Sequence, residues 1–267
     1  MLRVAACQVP IDIDDAEKTR RIVFESVHEA ARLGAGLVVL PELAVCGSIF
    51  VDAAESTSRA EPVDGPSVRF FVELSAAFDL VLVAGFCEES GLDKPYNSAV
   101  VVDHGRLLAV YRKTHLWDFE RELFTRGDVL PPVVPTSVGT VAPLICYDLG
   151  FPEVLRSVAM RGAQLIASPA NWPDSDSPNT RPPEVSKAMA GAAVNRVVVV
   201  VADRVGAERG RRWVGGSVIC DHEGYRVAGP HFGAETVLVA DVDLDATEDK
   251  QISARNHVFA DRRTDLY

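Results

Sequence analysis

The segment from Val141 to Glu153 constrains the fold of this chain more than any other stretch. It opens as an apolar run, stops at Cys146 and restarts as a helix at Pro152. β-Branched and aliphatic residues between turn signals are typical of a buried strand, and proline suits the first turn of a helix. This order predicts an α/β unit with Cys146 at the C-terminal end of a strand. The positive end of the helix dipole would stabilise a thiolate there, so the position suits a nucleophile.

Two further apolar runs end on reactive residues. The run at 37–40 leads to Glu42, and the run at 109–111 leads to Lys113. Taken alone, a cysteine in an apolar run is more often a packing residue. Ligands in α/β folds, however, bind beyond the carboxyl ends of the strands. We therefore expect Glu42, Lys113 and Cys146 to form one site.

The residues alone leave a second means of activating Cys146 open. His115 lies two positions after Lys113, and a Cys–His pair is the commoner way to activate a thiol. A Glu–Lys–Cys cluster would instead supply a base from Glu42 and a cationic neighbour from Lys113. Both arrangements are compatible with the pattern at this point.

Strand and helix patterns alternate in both halves of the chain, which predicts a parallel-rich sheet in each half. The predicted helices cover residues 14–33, 67–78, 152–159 and 185–193. Long loops are expected at 45–66, 113–135 and 171–183, and the first of them could border the active site. The remaining predicted strands cover 2–9, 80–86, 97–103, 106–111, 165–168, 197–202, 214–220 and 237–242.

Length and composition favour one domain over residues 1–267. The 267 residues include 48% hydrophobic and 24% charged side chains without a break in composition, which is ordinary for a soluble protein with a substantial core. The formal net charge is −11, and the short basic segment 209–212 is best explained as a solvated loop. Nucleic acid is therefore not an expected partner.

Compartment is inferred from three further features. The N-terminus runs straight into a strand pattern without a signal-peptide core, and no run of about eighteen apolar residues could span a membrane. The odd number of cysteines without CxxC or CxxH spacing argues against a disulfide framework and a zinc site. We expect a cytoplasmic protein without membrane contact. Its cysteines are Cys7, Cys46, Cys87, Cys146 and Cys220, of which Cys46 could line the pocket.

Several segments together resemble the nitrilase (carbon–nitrogen hydrolase) superfamily. The matching pieces are VAACQ from Val4, LVVLPEL around Glu42, YRKTHLW around Lys113, LICYDLGFPE around Cys146 and the segment ANW at 170–172. The resemblance runs from residue 2 to residue 267. Each piece is weak alone, but their order and spacing are specific.

The resemblance implies a fold and an assembly. The fold would be an α/β four-layer αββα sandwich, in which two packed mixed sheets lie between outer helices. Members often pair into a homodimer or a higher homo-oligomer. The last ~20 residues (248–267) would then be a C-terminal tail used in dimer contacts.

The resemblance also implies roles for the site residues. Glu42 would act as the base and Cys146 as the nucleophile, while Lys113 and the backbone N–H of Tyr147 would stabilise the oxyanion. Glu120 is the candidate for the second glutamate of the family, although Glu122 matches a shorter variant of that loop. The mechanism requires no metal and no organic cofactor.

Three residues are candidates for substrate binding. Gly150 stands where many amidase members carry arginine and others carry glutamate, so this chain lacks either charged anchor there. Asn171 precedes Trp172, which could form a pocket wall or a buried core aromatic.

A second departure from the family pattern is Pro143, since proline cannot donate to a strand ladder.

The resulting prediction is an amidase that hydrolyses a small carboxamide to acid and ammonia through a cysteine thioester. Nitrile hydrolysis is the nearest alternative, although nitrilases typically have Trp-Glu after the cysteine, where this chain has Tyr147 and Asp148. N-carbamoyl hydrolysis is a further alternative. A non-catalytic binding or assembly protein on the same scaffold is the alternative from another class.

Overall fold

The computed structural model describes residues 1–174 and 182–267 of the chain. The predicted proline-rich loop at 171–183 therefore lies partly outside the described residues. Two short 3-10 helices occur at Cys146–Gly150 and Asp245–Thr247. The α-helices are α1 (Ala16–Arg32), α2 (Ala53–Ser58), α3 (Pro66–Phe78), α4 (Glu120–Leu123), α5 (Pro152–Met160) and α6 (Pro183–Asn195).

The strands divide between the two halves of the chain. The first half contains β1 (Leu2–Gln8), β2 (Leu37–Val39), β3 (Val81–Glu88), β4 (Tyr96–Asp103) and β5 (Arg106–Arg112). The second half contains β6 (Val134–Thr136), β7 (Gly139–Pro143), β8 (Leu165–Pro169), β9 (Val198–Ala202), β10 (Val205–Glu208), β11 (Arg211–Val214), β12 (Val218–Cys220), β13 (Arg226–Ala228), β14 (Thr236–Val242), β15 (Gln251–Ser253) and β16 (Asn256–His257).

Two six-stranded mixed sheets form the centre of the molecule. The first has the order β14-β1-β2-β3-β4-β5, and the second has the order β13-β12-β9-β8-β7-β6. Parallel pairing joins β1, β2 and β3 in the first sheet and β7, β8 and β9 in the second. Strand β14 comes from the end of the chain and pairs antiparallel with β1, from Leu2 opposite Val242 to Gln8 opposite Thr236.

The two sheets pack face to face with helices outside. Val39 and Val83 of the first sheet share one buried cluster with Ala167 and Val200 of the second. A second cluster joins the first sheet to α1 and α3, and a third joins the second sheet to α5 and α6. The layer order is therefore helix, sheet, sheet, helix, and the predicted αββα sandwich is confirmed.

Several regions differ from the sequence prediction. The loop expected at 113–135 contains α4 and the first residues of β6. The single strand expected at 214–220 is wrong, because Gly215 has a φ of +64° and separates β11 from β12. A left-handed residue breaks a ladder and favours glycine. The loop expected at 45–66 contains α2, whose first turn is capped when the carboxylate of Asp52 accepts the N–H of Glu55 at 2.8 Å.

Pro143 closes β7 without disturbing the sheet. Its register partner is Ala167 in β8, while pairing of β7 with β6 extends only to Val141. The next donor, the N–H of Leu144, reaches the carbonyl of Ala167 at 3.0 Å. The proline thus lies where one side of the strand has no ladder partner, the position that proline tolerates.

The C-terminal tail after β14 is largely exposed. Ile252, Leu266 and Tyr267 present apolar surface to solvent, and the dimer contacts expected of the tail stay a prediction. Within the two described ranges, every helix is too short or too polar to cross a bilayer.

Candidate active site

Cys146 occupies a sharp turn between β7 and α5. Its φ of +48° lies in the left-handed region, and it opens the 3-10 helix Cys146–Gly150. The predicted start of the next helix is confirmed, since α5 begins at Pro152. The first bond of the turn runs from the N–H of Asp148 to the carbonyl of Ile145 at 3.0 Å. It leaves the N–H of Tyr147 unused by the turn.

The buried carboxylate of Asp148 fixes this turn. It accepts the N–H of Ile145 at 3.0 Å and the hydroxyl of Tyr111 at 2.8 Å. It also contacts Nδ1 of His115 at 2.8 Å. Asp148 therefore both caps the turn and pairs with a neighbouring base.

Glu42 follows β2 in a turn that passes very close to β3. The next residue, Leu43, has a φ of +50°, and the N–H of Ala44 donates to the carbonyl of Gly85 at 2.9 Å. A Cβ atom at Gly85 would lie 2.5 Å from the Leu43 nitrogen and 2.8 Å from the Glu42 Cα. Only glycine permits this approach, which sets the position of Glu42.

Gly85→Ala is expected to destabilise the fold by about 1–3 kcal/mol, because overpacking against backbone atoms forces a shift of the strand or the turn. Chemical denaturation of the purified variant measures this loss. Gly150→Ala serves as the control, since a Cβ there meets only the Tyr147 ring at 3.7 Å or more. Equal stability of the two variants would show that the turn at Glu42 yields without cost.

Lys113 lies directly after β5 and is 1% exposed. Its Nζ contacts Oε1 of Glu42 at 2.6 Å and both carboxylate oxygens of Glu120 at 2.8 Å. Its carbonyl accepts the N–H of Gly127 at 2.9 Å. One buried ammonium is thus shared between two carboxylates.

Burial and the neighbouring charges together set the protonation of Lys113 and Glu120. Desolvation would lower the pKa of Lys113, but the charges of Glu120 and Glu42 outweigh it and hold that pKa well above its usual value. Burial raises the pKa of Glu120 to about 7, against the opposing attraction of Lys113 and with a further rise from Glu42. The lysine therefore stays charged, while Glu120 titrates near neutral pH.

Cys146 is a protonated thiol in this environment. Burial and then the charge of Glu42 raise its pKa well above the usual value, and Lys113 only partly offsets them. The thiolate expected from a helix dipole is therefore not the resting form. Its proton must leave when the sulfur attacks, so a base has to act at that moment.

A cavity of about 1400 Å³ brings the predicted residues together. Residues that follow strands of the first sheet and of the second sheet meet in its wall, and aromatic side chains such as Phe50 and Trp213 also contribute. The predicted residues that line it are Glu42, Lys113, Glu120, Cys146, Tyr147, Gly150, Asn171 and Trp172.

The sequence matches the model of one protein family over most of its length. The model for carbon-nitrogen hydrolases matches residues 3–251. The chain belongs to the carbon–nitrogen hydrolase family. It is therefore a hydrolase that acts on carbon–nitrogen bonds other than peptide bonds, and its resemblance to the amidase-like branch of the nitrilase superfamily is confirmed.

Individual relatives of this carbon–nitrogen hydrolase carry different names. It is 35% identical over 268 residues to a nitrilase of Pyrococcus abyssi, covering 100% of this chain and 99% of the relative. It is 35% identical over 210 residues to an (R)-stereoselective amidase of Pseudomonas sp., covering 78% and 73%. A solved carbon-nitrogen hydrolase from Helicobacter pylori G27 superposes with a TM-score of 0.89 at 25% identity, covering 100% and 97%.

Three other candidate residues of this carbon–nitrogen hydrolase, His115, Glu122 and Cys46, do not line the cavity. His115 stacks on Phe151 with ring centroids 3.7 Å apart, and its Nδ1 contacts Asp148. Among the described residues that line the cavity, neither His115 nor Glu122 occurs. The same holds for Cys46, which packs beside buried Cys87 instead. The Cys–His arrangement therefore lacks support, and Glu120 is the glutamate that contacts Lys113.

Asn171 and Trp172 follow β8 and are held beside the cysteine. The carbonyl of Asn171 lies 3.9 Å from Sγ of Cys146. The buried carboxylate of Asp203 accepts the N–H groups of Trp172 at 2.8 Å and Gly216 at 2.7 Å. Trp172 is 2% exposed, so it is both a core aromatic and part of the cavity wall.

Sequence reasoning missed two contributions to the site, Asn97 and the basic segment 209–212, whereas the segment 48–50 belongs to the loop that was expected beside the site. Asn97, in β4, contacts Glu42 through its side chain. The segment 48–50 lines the cavity because the carboxylate of Glu208, paired with buried Arg204, accepts the N–H of Ser48 at 2.9 Å. The basic segment 209–212, predicted as a solvated loop, forms the turn after β10 and the first two residues of β11, and it lines the cavity. A four-residue spacing of opposite charges was the only sequence signal for the Arg204–Glu208 pair.

Proposed function

We propose that the protein is an amidase that hydrolyses a small carboxamide to a carboxylic acid and ammonia through a thioester on Cys146. The observation that carries this proposal is the buried ammonium of Lys113, which is held by Glu42 and Glu120 in the wall of the same cavity as the Cys146 thiol. Burying such a charged cluster costs desolvation free energy, and a scaffold without catalytic activity would not need it.

The first half of the reaction forms the thioester. Glu42 removes the proton from the thiol, and Sγ of Cys146 attacks the amide carbonyl carbon. Lys113 and the unused N–H of Tyr147 stabilise the oxyanion of the tetrahedral intermediate. Glu42 then returns the proton to the nitrogen, the C–N bond breaks and ammonia leaves.

The second half regenerates the enzyme. Glu42 takes a proton from water, and the resulting hydroxide attacks the thioester carbonyl. The C–S bond breaks, the acid leaves and Cys146 recovers its proton. Glu120 keeps Lys113 in place through contacts of 2.8 Å throughout both steps.

A screen for ammonia release over carboxamides, nitriles and N-carbamoyl amino acids tests the proposal. Release from carboxamides with the highest kcat/KM supports an amidase. The nitrilase name of the Pyrococcus relative favours nitriles as the second candidate, but Asp148, at the position typical of a nitrilase glutamate, is fully occupied by the turn and by His115. Absence of release from all three classes would favour the non-catalytic scaffold.

Gly150 predicts which carboxamides are preferred. It lines the cavity, and a Cβ there would meet only ordinary contacts with the Tyr147 ring at 3.7 and 3.8 Å. We expect wild-type enzyme to prefer an uncharged acyl portion over one with a carboxylate or ammonium near the amide. Gly150→Arg should favour a carboxylate-bearing amide by about 10- to 100-fold, because a partly desolvated Arg–carboxylate pair contributes roughly 1.5–3 kcal/mol.

The ratio of kcat/KM for a neutral and an acidic amide of matched length, measured in both proteins, checks this expectation. Gly150→Ala is the matched control, since it adds a side chain without a charge. An unchanged ratio in an active, folded Gly150→Arg enzyme would mean that residue 150 does not face the acyl group.

A further inference from the structure

Asn97 lies where the three charged residues of the site meet. It is the second residue of β4 and is 1% exposed. Its Nδ2 donates to Oε1 of Glu42 at 2.7 Å and to Oε1 of Glu120 at 3.3 Å. Its backbone carbonyl accepts the N–H of Lys113 at 2.8 Å. One neutral side chain therefore bridges both carboxylates while its backbone holds the lysine.

These contacts make the two oxygens of Glu42 unequal. Oε1 accepts from Nδ2 of Asn97 and from Nζ of Lys113 at 2.6 Å. No donor to Oε2 occurs among residues 1–174 and 182–267. Because two donors occupy Oε1, Oε2 is the oxygen that remains for the thiol proton.

We infer that Asn97 is a positioning residue for the reaction, which orients Glu42 so that Oε2 takes the proton of Cys146. The inference rests on the proposed function for the role of Glu42 as base. A hydrogen bond to the ionised form of a carboxyl group favours that form. Asn97 supplies such a bond without adding a positive charge.

The surroundings of Glu42 explain why a neutral donor is needed there. Lys113 is shared with Glu120, whose carboxylate repels that of Glu42. The charge of Glu42 also acts to raise the pKa of Cys146, of the buried carboxyl group of Asp203 and of Arg204. The guanidinium of Arg204 forms an ion pair with Glu208. A further donor at Oε1 offsets the repulsion between the carboxylates of Glu42 and Glu120. Because this donor is a neutral amide, it adds neither a charge nor a titratable group to the cluster.

Asn97→Ala is expected to lower kcat by about 10- to 100-fold, the effect of losing a hydrogen bond to a charged group. KM should stay within about twofold, because Asn97 is not among the described residues that line the cavity. The acid limb of the kcat/KM profile should move up by about one pH unit, since loss of the donor raises the proton affinity of Glu42.

Ser98→Ala is the matched control. Ser98 is the next residue of β4, is fully buried and donates to a different buried carboxylate, Glu88. It therefore measures the cost of deleting a buried polar group from this strand. We expect kcat within a few-fold of wild type and an unmoved acid limb.

Asn97→Asp keeps the shape of the side chain and decides the matter if the alanine variant does not fold. It replaces the donor by a third carboxylate, so the acid limb should move further up than in Asn97→Ala. The rate of Cys146 alkylation by iodoacetamide as a function of pH gives a readout that needs no substrate. Its midpoint should shift in the same direction in both variants.

The outcomes separate the inference from the proposed function. A shifted alkylation midpoint in an enzyme that releases no ammonia from any amide would remove the proposed substrate and keep the role of Asn97. The inference would be overturned if the acid limb of the kcat/KM profile and the pH midpoint of Cys146 alkylation stayed unmoved in the Asn97 variants. It would also be overturned if Ser98→Ala lost as much kcat as Asn97→Ala.

Discussion

Cys146→Ala is expected to lose turnover by ~10⁵-fold or more, because it removes the atom that forms the covalent intermediate. The fold should survive, since the substitution deletes one sulfur atom and alanine tolerates the left-handed backbone of this turn no worse than cysteine does. Ammonia release and the thermal midpoint, measured on the same preparation, check both expectations. Substantial residual activity would mean that another residue is the nucleophile.

Two other cysteines provide controls for this experiment. Cys220→Ala removes a buried thiol from β12 and should keep full activity. Cys46 is, like Cys146, only partly buried, so alkylation is best followed in a Cys46→Ala background. Loss of activity in proportion to labelling of Cys146 is the expected result.

Glu42→Gln is expected to lower kcat by about a thousandfold or more, because one residue serves as base in both halves of the reaction. Glutamine keeps the size of the side chain and its contact with Lys113, but it cannot accept the thiol proton. Pre-steady-state measurement of the first ammonia released isolates the acylation step. The loss should already appear there, because the resting thiol is protonated.

Two matched variants test the alternatives to Glu42. His115→Ala should cost far less, since the ring contacts Asp148 and Phe151 rather than the cavity. Glu122→Gln removes a nearby carboxylate that does not contact Lys113 and should be nearly neutral. A larger loss in His115→Ala than in Glu42→Gln, with both variants folded, would support a Cys–His enzyme.

Much of the fold could be predicted because apolar runs and helical periodicity are local signals. The helix α1 begins after the capping carboxylate of Asp15 and buries Val23 and Val27, as its spacing predicts. The break between β11 and β12 was not recognised, although the Gly215-Gly216 pair marks it. Because Val214 and Val218 are both apolar, the two strands look continuous in a hydropathy pattern.

The site could be predicted only where strand ends deliver reactive groups. Glu42, Lys113 and Cys146 each follow an apolar run, and the fold brings them to one cavity. Asn97 gave no such signal, because Asn97 and Ser98 look alike as polar residues in an apolar strand. Which of the two faces Glu42 depends on strand register, and register is set by long-range pairing.

Strand β14 also determines when the first sheet can be completed during folding. During synthesis, β1 emerges first, yet the strand that covers its free edge lies at Thr236–Val242. An unpaired edge is a template for aggregation, and such distant pairing slows folding. The nascent chain therefore carries an open sheet edge until residues 236–242 have been synthesised. Recovery of hydrolysis after dilution from denaturant should likewise lag behind helix formation.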